Sequence, residues 1–239
     1  MATAAKVGNN VTGVQMSPKD TKKLLDAVNE ILPDAPGDEG NIALERKQRA
    51  GEADRIGSVP IPGSAKGMLK TSFDMLKGKS PEILIDKLGE RLAFERTGVR
   101  LYEAMIAKAQ ALEGTRELLD SLNLIRDQEA EHLQLVAQAM ETLGADPTAQ
   151  TPCADVTGVM SMGIMQVITD PRTNIAQGLN ALMSAELIDN AAWELLIALA
   201  QGAGHDGIAE SFGHARIQEA DHLVRIRSLM HEDLLTQIG

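Results

Sequence analysis

"EAEHL" at residues 129–133 returns almost unchanged as "EADHL" at 219–223. In each, a glutamate and a histidine stand three apart, so on a helix they share one face. Such a pair is either solvated surface or half of a metal site, and the face it occupies decides between them. Working outward, Glu129 and His132 fall on the stripe Leu122, Ile125, Val136 and Met140, while Glu219 and His222 fall with Phe212, Ala215 and Ile226. Spacings of three and four make these the apolar stripes of two amphipathic helices. Glu95 interrupts a third stripe of Leu88, Leu92, Val99, Tyr102 and Ile106, and Glu186 interrupts a fourth. A carboxylate on a core face is costly unless it is paired or holds a metal, so four of them need a common explanation.

Register supplies one. Glu95 and Glu129 lie at matched distances from the turn "EGTRE" (113–117), and Glu186 and Glu219 at matched distances from "QGAGHDG" (201–207). In an antiparallel hairpin, residues equidistant from the turn sit at one height, so each lone Glu stands beside a Glu-x-x-His. The two halves also form an internal repeat: "ERTGVRLYE" (95–103) aligns with "ELIDNAAWE" (186–194), placing Tyr102 on Trp193. If a pseudo-twofold axis relates the hairpins, four carboxylates and two imidazoles converge. One Glu from each of two helices and Glu-x-x-His from each of the others is the ligand set of a dinuclear carboxylate centre. Imidazole with hard carboxylate oxygens suits iron or manganese, and zinc can occupy such a set adventitiously.

The rest of the chain reads as all-α. Helices are predicted from Pro81 to about Leu112, on to about Leu143, over roughly 175–200, and from about Ile208 to Leu235, with a long connection between the two hairpins. "GADPTAQTPCADVTG" (144–158) reads as a break, followed by a short helix at "GVMSMGIMQVI" (158–168) whose Met160, Met162 and Met165 read as core packing. Residues 1–79 read as an N-terminal arm appended to a domain at 80–239. The arm carries one short helix over 17–32, with Ser17 as N-cap and Pro18 at its first position, and a second over 64–78.

Composition narrows the function. The net charge of −11 argues against a nucleic-acid partner and against an anionic membrane surface. No apolar run reaches the roughly 20 residues of a membrane span, and the first residues lack a signal-peptide core, so the expected location is cytoplasmic. Cys153, the single cysteine, rules out an intrachain disulfide, a zinc ribbon or a four-thiolate iron centre.

"ERTGVRLYE", "EAEHL", "ELIDNAAWE" and "EADHL" resemble the four ligand helices of ferritin-like di-iron proteins, in particular the rubrerythrin and bacterioferritin branches. The resemblance covers 80–239 and implies a ferritin-like four-helix bundle of two antiparallel hairpins joined by a long crossover. It implies two iron ions, with manganese as the alternative metal. Glu95 and Glu186 would be terminal ligands, Glu129 and Glu219 would bridge, and His132 and His222 would each bind one ion. Tyr102 matches the family tyrosine that hydrogen-bonds beside the metals and donates an electron, and Asp189 stands where rubrerythrin-like proteins place an additional carboxylate. Ala130 occupies the position of the bacterioferritin haem methionine, so no haem is expected. The implied activity is oxidoreduction with O2 or hydrogen peroxide, of ferroxidase or peroxidase type. Its electrons would come from an external donor, because the chain lacks a rubredoxin module. The alternatives are a dimanganese catalase and a non-catalytic structural or interaction protein with a vestigial metal site. An arm that wraps a partner would make the protein a homodimer or a larger homo-oligomer. His205, His214 and His231 read as solvated or hydrogen-bonded rather than ligating.

Overall fold

A computed structural model describes residues 17–31, 39–61 and 81–238. Among these residues the secondary structure is helical, without strands. Among the described residues there are seven helices: α1 (Pro18–Glu30), α2 (Glu39–Glu52), α3 (Pro81–Ala111), α4 (Arg116–Leu143), α5 (Pro152–Thr169), α6 (Ile175–Gly202) and α7 (Asp206–Ile238). No helix among the described residues is long and apolar enough to cross a membrane.

The chain divides into two compact units, Met1–Asp54 and Arg55–Gly239. In the first, α1 starts as its sequence predicts, with Pro18 behind Ser17, and buries no residue. α2 was not expected. Its sequence, "EGNIALERKQRAGE", has too few apolar residues to show a stripe, and residues 40–52 are exposed. The helix expected over 64–78 lies outside the described residues.

The second unit contains the long helices, and its order follows from the stripes. α3 and α4 pack closely, as do α6 and α7, α3 and α5, and α3 and α6. The link between α3 and α4 turns at Glu113, whose φ of 55° makes it the left-handed residue, rather than at Gly114. Thr115 then caps α4 by accepting the Leu118 N–H at 3.2 Å. α4 ends at Gly144, whose φ of 84° is open to glycine at little cost. Asn174 and Gln177 start α6 with a reciprocal capping box.

The buried apolar side chains form two clusters. One contains Leu101, Met105, Leu122, Ile125, Leu179, Leu182 and Ile226; the other contains Leu88, Leu92, Val136, Met140, Trp193, Leu196 and Phe212. On α3 the chain runs from the second cluster to the first, on α4 and α6 from the first to the second, and on α7 back again. Each helix passes between the clusters at its own acidic position, so Glu95, Glu129, Glu186 and Glu219 share one polar layer between two apolar ones. A fully buried leucine such as Leu88 or Leu122 contributes about 1.5–3 kcal/mol. The flanking layers therefore supply the stability against which a buried polar layer is maintained.

α5 corrects two local readings. It begins at Pro152 rather than 158, because Thr151 is its N-cap and Pro152 its first residue; what reads as a break contains a start signal. Only Ala154, Thr157, Ser161 and Ile168 are buried on it, with Ile164 and Met165 half-buried, a single stripe facing inward. Met160 and Met162 flank that stripe on either side and are exposed, not core, so composition alone misplaced them. α5 returns the chain along α3. Its start is tied to α3 by the Cys153 N–H donating to Asp86 Oδ1 at 2.8 Å, and the turn after its end by Lys108 Nζ donating to the carbonyls of Asp170 and Thr173.

Candidate metal centre

All six side chains singled out from the stripes meet in the polar layer. Their ligand atoms form two overlapping groups, each with atoms within 4.8 Å of one another: Glu95, Glu129, His132 and Glu219; and Glu129, Glu186, Glu219 and His222. Every member is buried. Glu129 and Glu219 belong to both groups. His132 presents Nδ1 to Glu219 at 2.7 Å and to Glu95 at 3.9 Å. His222 presents Nδ1 to Glu129 and Glu219 at 3.4 Å and to Glu186 at 3.6 Å.

These approaches are ion-pair distances without hydrogen-bond geometry. Both carboxylate oxygens of Glu95, Glu129 and Glu219, one oxygen of Glu186 and the Nδ1 of each histidine are buried without a hydrogen-bond partner. Buried polar atoms in native proteins are overwhelmingly bonded. A cluster of acceptors that points at a common interior instead of at donors fits cations held between them, and the oxygen and imidazole donors fit a hard or borderline divalent metal. The residues present therefore fit a metal centre.

The electrostatics show what gathering these groups in one buried layer costs. Burial pushes Glu95 and Glu129 well above the usual carboxyl range, and neighbouring carboxylates add to this. Glu186 is raised for the same first reason, with His222 opposing. Burial acts to raise Glu219 too, but His132 and His222 outweigh it and hold this carboxylate at about 2. Burial disfavours the charged form of His222, yet Glu129, Glu186 and Glu219 carry it up to about 12. His132 is raised as well: burial opposes its charge, and Glu219 overcomes the opposition.

Tyr102 and Asp189 also reach the layer. The Tyr102 hydroxyl donates to Glu186 Oε1, and burial followed by that carboxylate keeps the phenol protonated far above its ordinary range. Asp189 pairs with Arg91, a residue the sequence reading missed. Arg91 is only 3% exposed, and its Nε lies 2.9 Å from Glu95 Oε1. Its guanidinium stacks over Phe94 at 4.4 Å. The signal was present, since Arg91 stands four before Glu95 on the same core stripe. Gln128 and Gln218 were also missed, although the repeat extends to them as "QEAEHL" and "QEADHL". Gln218 Oε1 lies 2.9 Å from His132 Nε2, and Gln128 Oε1 lies 2.9 Å from His222 Nε2. Trp193 packs edge-on to His132 at 5.6 Å and to Phe212 at 5.1 Å.

The remaining histidines stay outside the layer. His214 and His231 are exposed and His205 is half-buried in the α6–α7 turn. The Cys153 thiol is pushed up to about 12 by burial and by Asp86, which keeps it protonated.

Residues 66–237 match the family described as Domain of unknown function (DUF892). The chain belongs to this family. DUF892 proteins are among the members of the ferritin-like superfamily. No curated protein and no solved structure gives a match. The fit to a metal ion rests on the buried Glu/His groups, and the family's description names no activity.

Proposed function

We propose that this chain is a ferritin-like dinuclear metal carboxylate protein: a four-helix bundle at 80–239 with an N-terminal arm, binding two iron ions, or manganese in their place, and acting as an oxidoreductase. The observation that carries the reading is the overlap of the two ligand groups on Glu129 and Glu219. Two shared carboxylates and two private sets, Glu95 with His132 and Glu186 with His222, are what two adjacent cations need.

A bound pair of redox-active metals would supply the Lewis acidity and the electrons for reducing O2 or hydrogen peroxide, with an external donor restoring the reduced state. The chain's own residues supply the rest. Glu129 and Glu219 hold the two positions together, and the apolar layers on either side exclude bulk water. Tyr102, hydrogen-bonded to Glu186, is the phenol placed to donate a proton or an electron beside the ligands. Arg91 offsets part of the buried negative charge by pairing Asp189 and Glu95.

Anaerobic addition of ferrous iron to the metal-free protein, with metal counted per chain, tests the binding; oxygen or peroxide is then added while the optical spectrum is followed. The expected result is about two irons per chain and a new absorption on oxidation. Fewer than about two bound, or iron that no oxidant alters, removes the reading. Disproportionation of peroxide by the manganese-loaded form alone would turn it into a catalase.

A further inference from the structure

Each histidine of the polar layer makes one hydrogen bond that none of the acidic residues provides. His132 Nε2 on α4 meets Gln218 Oε1 on α7, and His222 Nε2 on α7 meets Gln128 Oε1 on α4, both at 2.9 Å. The bonds are reciprocal across the same pair of helices. Each glutamine immediately precedes the shared glutamate of its own helix and reaches the histidine of the other.

We infer that Gln128 and Gln218 are positioning residues that select which nitrogen of each histidine faces the metal, so that the working unit of this centre is a crossed pair of Gln-Glu-x-x-His motifs. The argument rests on the metal-centre reading above and on one piece of chemistry. A carboxamide oxygen only accepts, so a histidine nitrogen bonded to it must carry the hydrogen. With the hydrogen held on Nε2, the lone pair that can bind a cation is on Nδ1. Nδ1 is the nitrogen that points at Glu219 from His132, and at Glu129, Glu186 and Glu219 from His222. The glutamine also fixes the ring's rotation about Cβ–Cγ, because Nε2 and Nδ1 lie on different sides of the ring. Outer hydrogen-bond partners of this kind are worth about 10–100-fold in metal affinity.

The crossing has a second consequence. α4 and α7 lie less closely against each other than do α3 and α4 or α6 and α7. A cleft of about 360 Å³ opens between them, lined by Glu131, His132, Gln134, Ser211, His214 and Gln218. The two glutamine–histidine bonds tie this gap across the polar layer; Gln128 and His222 do not line the cleft, whereas Gln218 lines it together with His132. Its bond is therefore the one that solvent or a small polar reactant reaches.

Nitrogen-15 NMR of the full chain, metal-free and loaded with zinc as a diamagnetic probe, tests the inference through exchange of the imidazole Nε2–H protons. In the unaltered protein both protons are expected to be protected, that of His132 less than that of His222, and zinc is expected on Nδ1. Gln218→Leu should speed exchange at His132 by about tenfold or more and leave His222 unchanged; Gln128→Leu should do the reverse. Each should weaken zinc binding about 10–100-fold, and Gln→Glu at the same position, which keeps an acceptor, should restore the proton's protection. If a leucine variant fails to fold, Gln→Asn at that position, too short to reach, reads the same exchange. Zinc on Nε2, or exchange that responds at the histidine of the same helix or at neither, overturns the inference. A protein that binds neither zinc nor iron overturns the proposed function instead, while the metal-free exchange pattern still decides the pairing.

Discussion

On one side of the shared pair Glu129 and Glu219, Glu95 and His132 are backed by Arg91, Asp189 and the Trp193 ring. On the other side, Glu186 and His222 are backed by the Tyr102 hydroxyl. The internal repeat makes the contrast specific. Arg91 in the first half corresponds to Leu182 in the second, Asp189 in the second to Gly98 in the first, and Trp193 to Tyr102. The Glu and His residues and the glutamines on the histidines are duplicated, whereas the Arg91–Asp189 pair and the Tyr102 hydroxyl are not. The two groups therefore differ in charge and in hydrogen bonding although their Glu and His residues repeat.

The largest effect should come from the residues that belong to both sides. Glu129→Ala or Glu219→Ala removes an oxygen donor from both groups, so elemental analysis should find metal lost from both positions. Glu95→Ala and Glu186→Ala should each lower the content by about one ion per chain. Equal loss from all four variants would erase the distinction between shared and private ligands.

Next in size is the charged side. Arg91→Leu leaves Asp189 and Glu95 buried without their cation, and breaking such a pair costs about 3–5 kcal/mol. Urea unfolding of the metal-free variant should show that loss, and Arg91→Leu combined with Asp189→Leu should recover much of it. A neutral single variant would mean that the asymmetry carries no energy.

Acidity separates the metal-free from the loaded protein. Glu95, Glu129 and Asp189 have folded pKa values above their ordinary ones, with burial the first cause. The folded state therefore binds protons that the unfolded state has released, and stability falls as pH rises above the ordinary carboxyl range of about 4. His222 acts in the same direction: its stabilisation is complete below its ordinary value of about 6.5 and is lost as the pH climbs toward about 12. Glu219 acts the other way, but only at low pH, since its stabilisation is already complete above about 4.3 and is lost as pH falls toward about 2. Between pH 5 and 9 the metal-free protein should lose stability while metal binding strengthens, so the gap in Tm between loaded and metal-free protein should widen with pH. A constant gap would contradict these shifts.

Smaller still is the effect at Gly98. A Cβ there would lie 2.3 Å from Glu129 Oε2, the flexible end of a side chain that can move aside. Gly98→Ala should therefore keep the fold, gain up to about 1 kcal/mol of helix propensity, and bind metal more weakly because the shared carboxylate is displaced. Gly158→Ala and Gly163→Ala, which meet nothing within 4 Å, should gain the propensity with metal binding unchanged. The smallest effect should be Tyr102→Phe. It removes one buried hydrogen bond worth about 1 kcal/mol, leaves metal content intact, and alters the spectrum or rate of oxidation at the Glu186 side alone.

Much of this layout was legible in one dimension. Helical periodicity placed Glu95, Glu129, His132, Glu186, Glu219 and His222 on core stripes, because burial imposes a spacing of three and four whatever the partner helix is. Matched distances from two turns then put each Glu at the height of its Glu-x-x-His, because an antiparallel hairpin maps sequence distance onto height. The start of α5 was also written in the sequence, as Thr151 before Pro152, but a neighbouring run of Gly, Asp and Pro disguised it as a loop.

Tertiary structure decided what local spacing does not encode. Which face of α5 looks inward depends on α3 and α6, and so Met160 and Met162 are exposed while Met165 is partly covered. That Arg91 pairs Asp189, that Gln128 and Gln218 cross to the opposite histidines, and that the cleft opens beside His132 all depend on contacts between helices far apart in the chain. The sequence sets which residues are turned toward the interior, because periodicity is a property of one helix. Which of them meet is settled only when four helices are packed, because side chains several turns and many residues apart become neighbours solely through that packing.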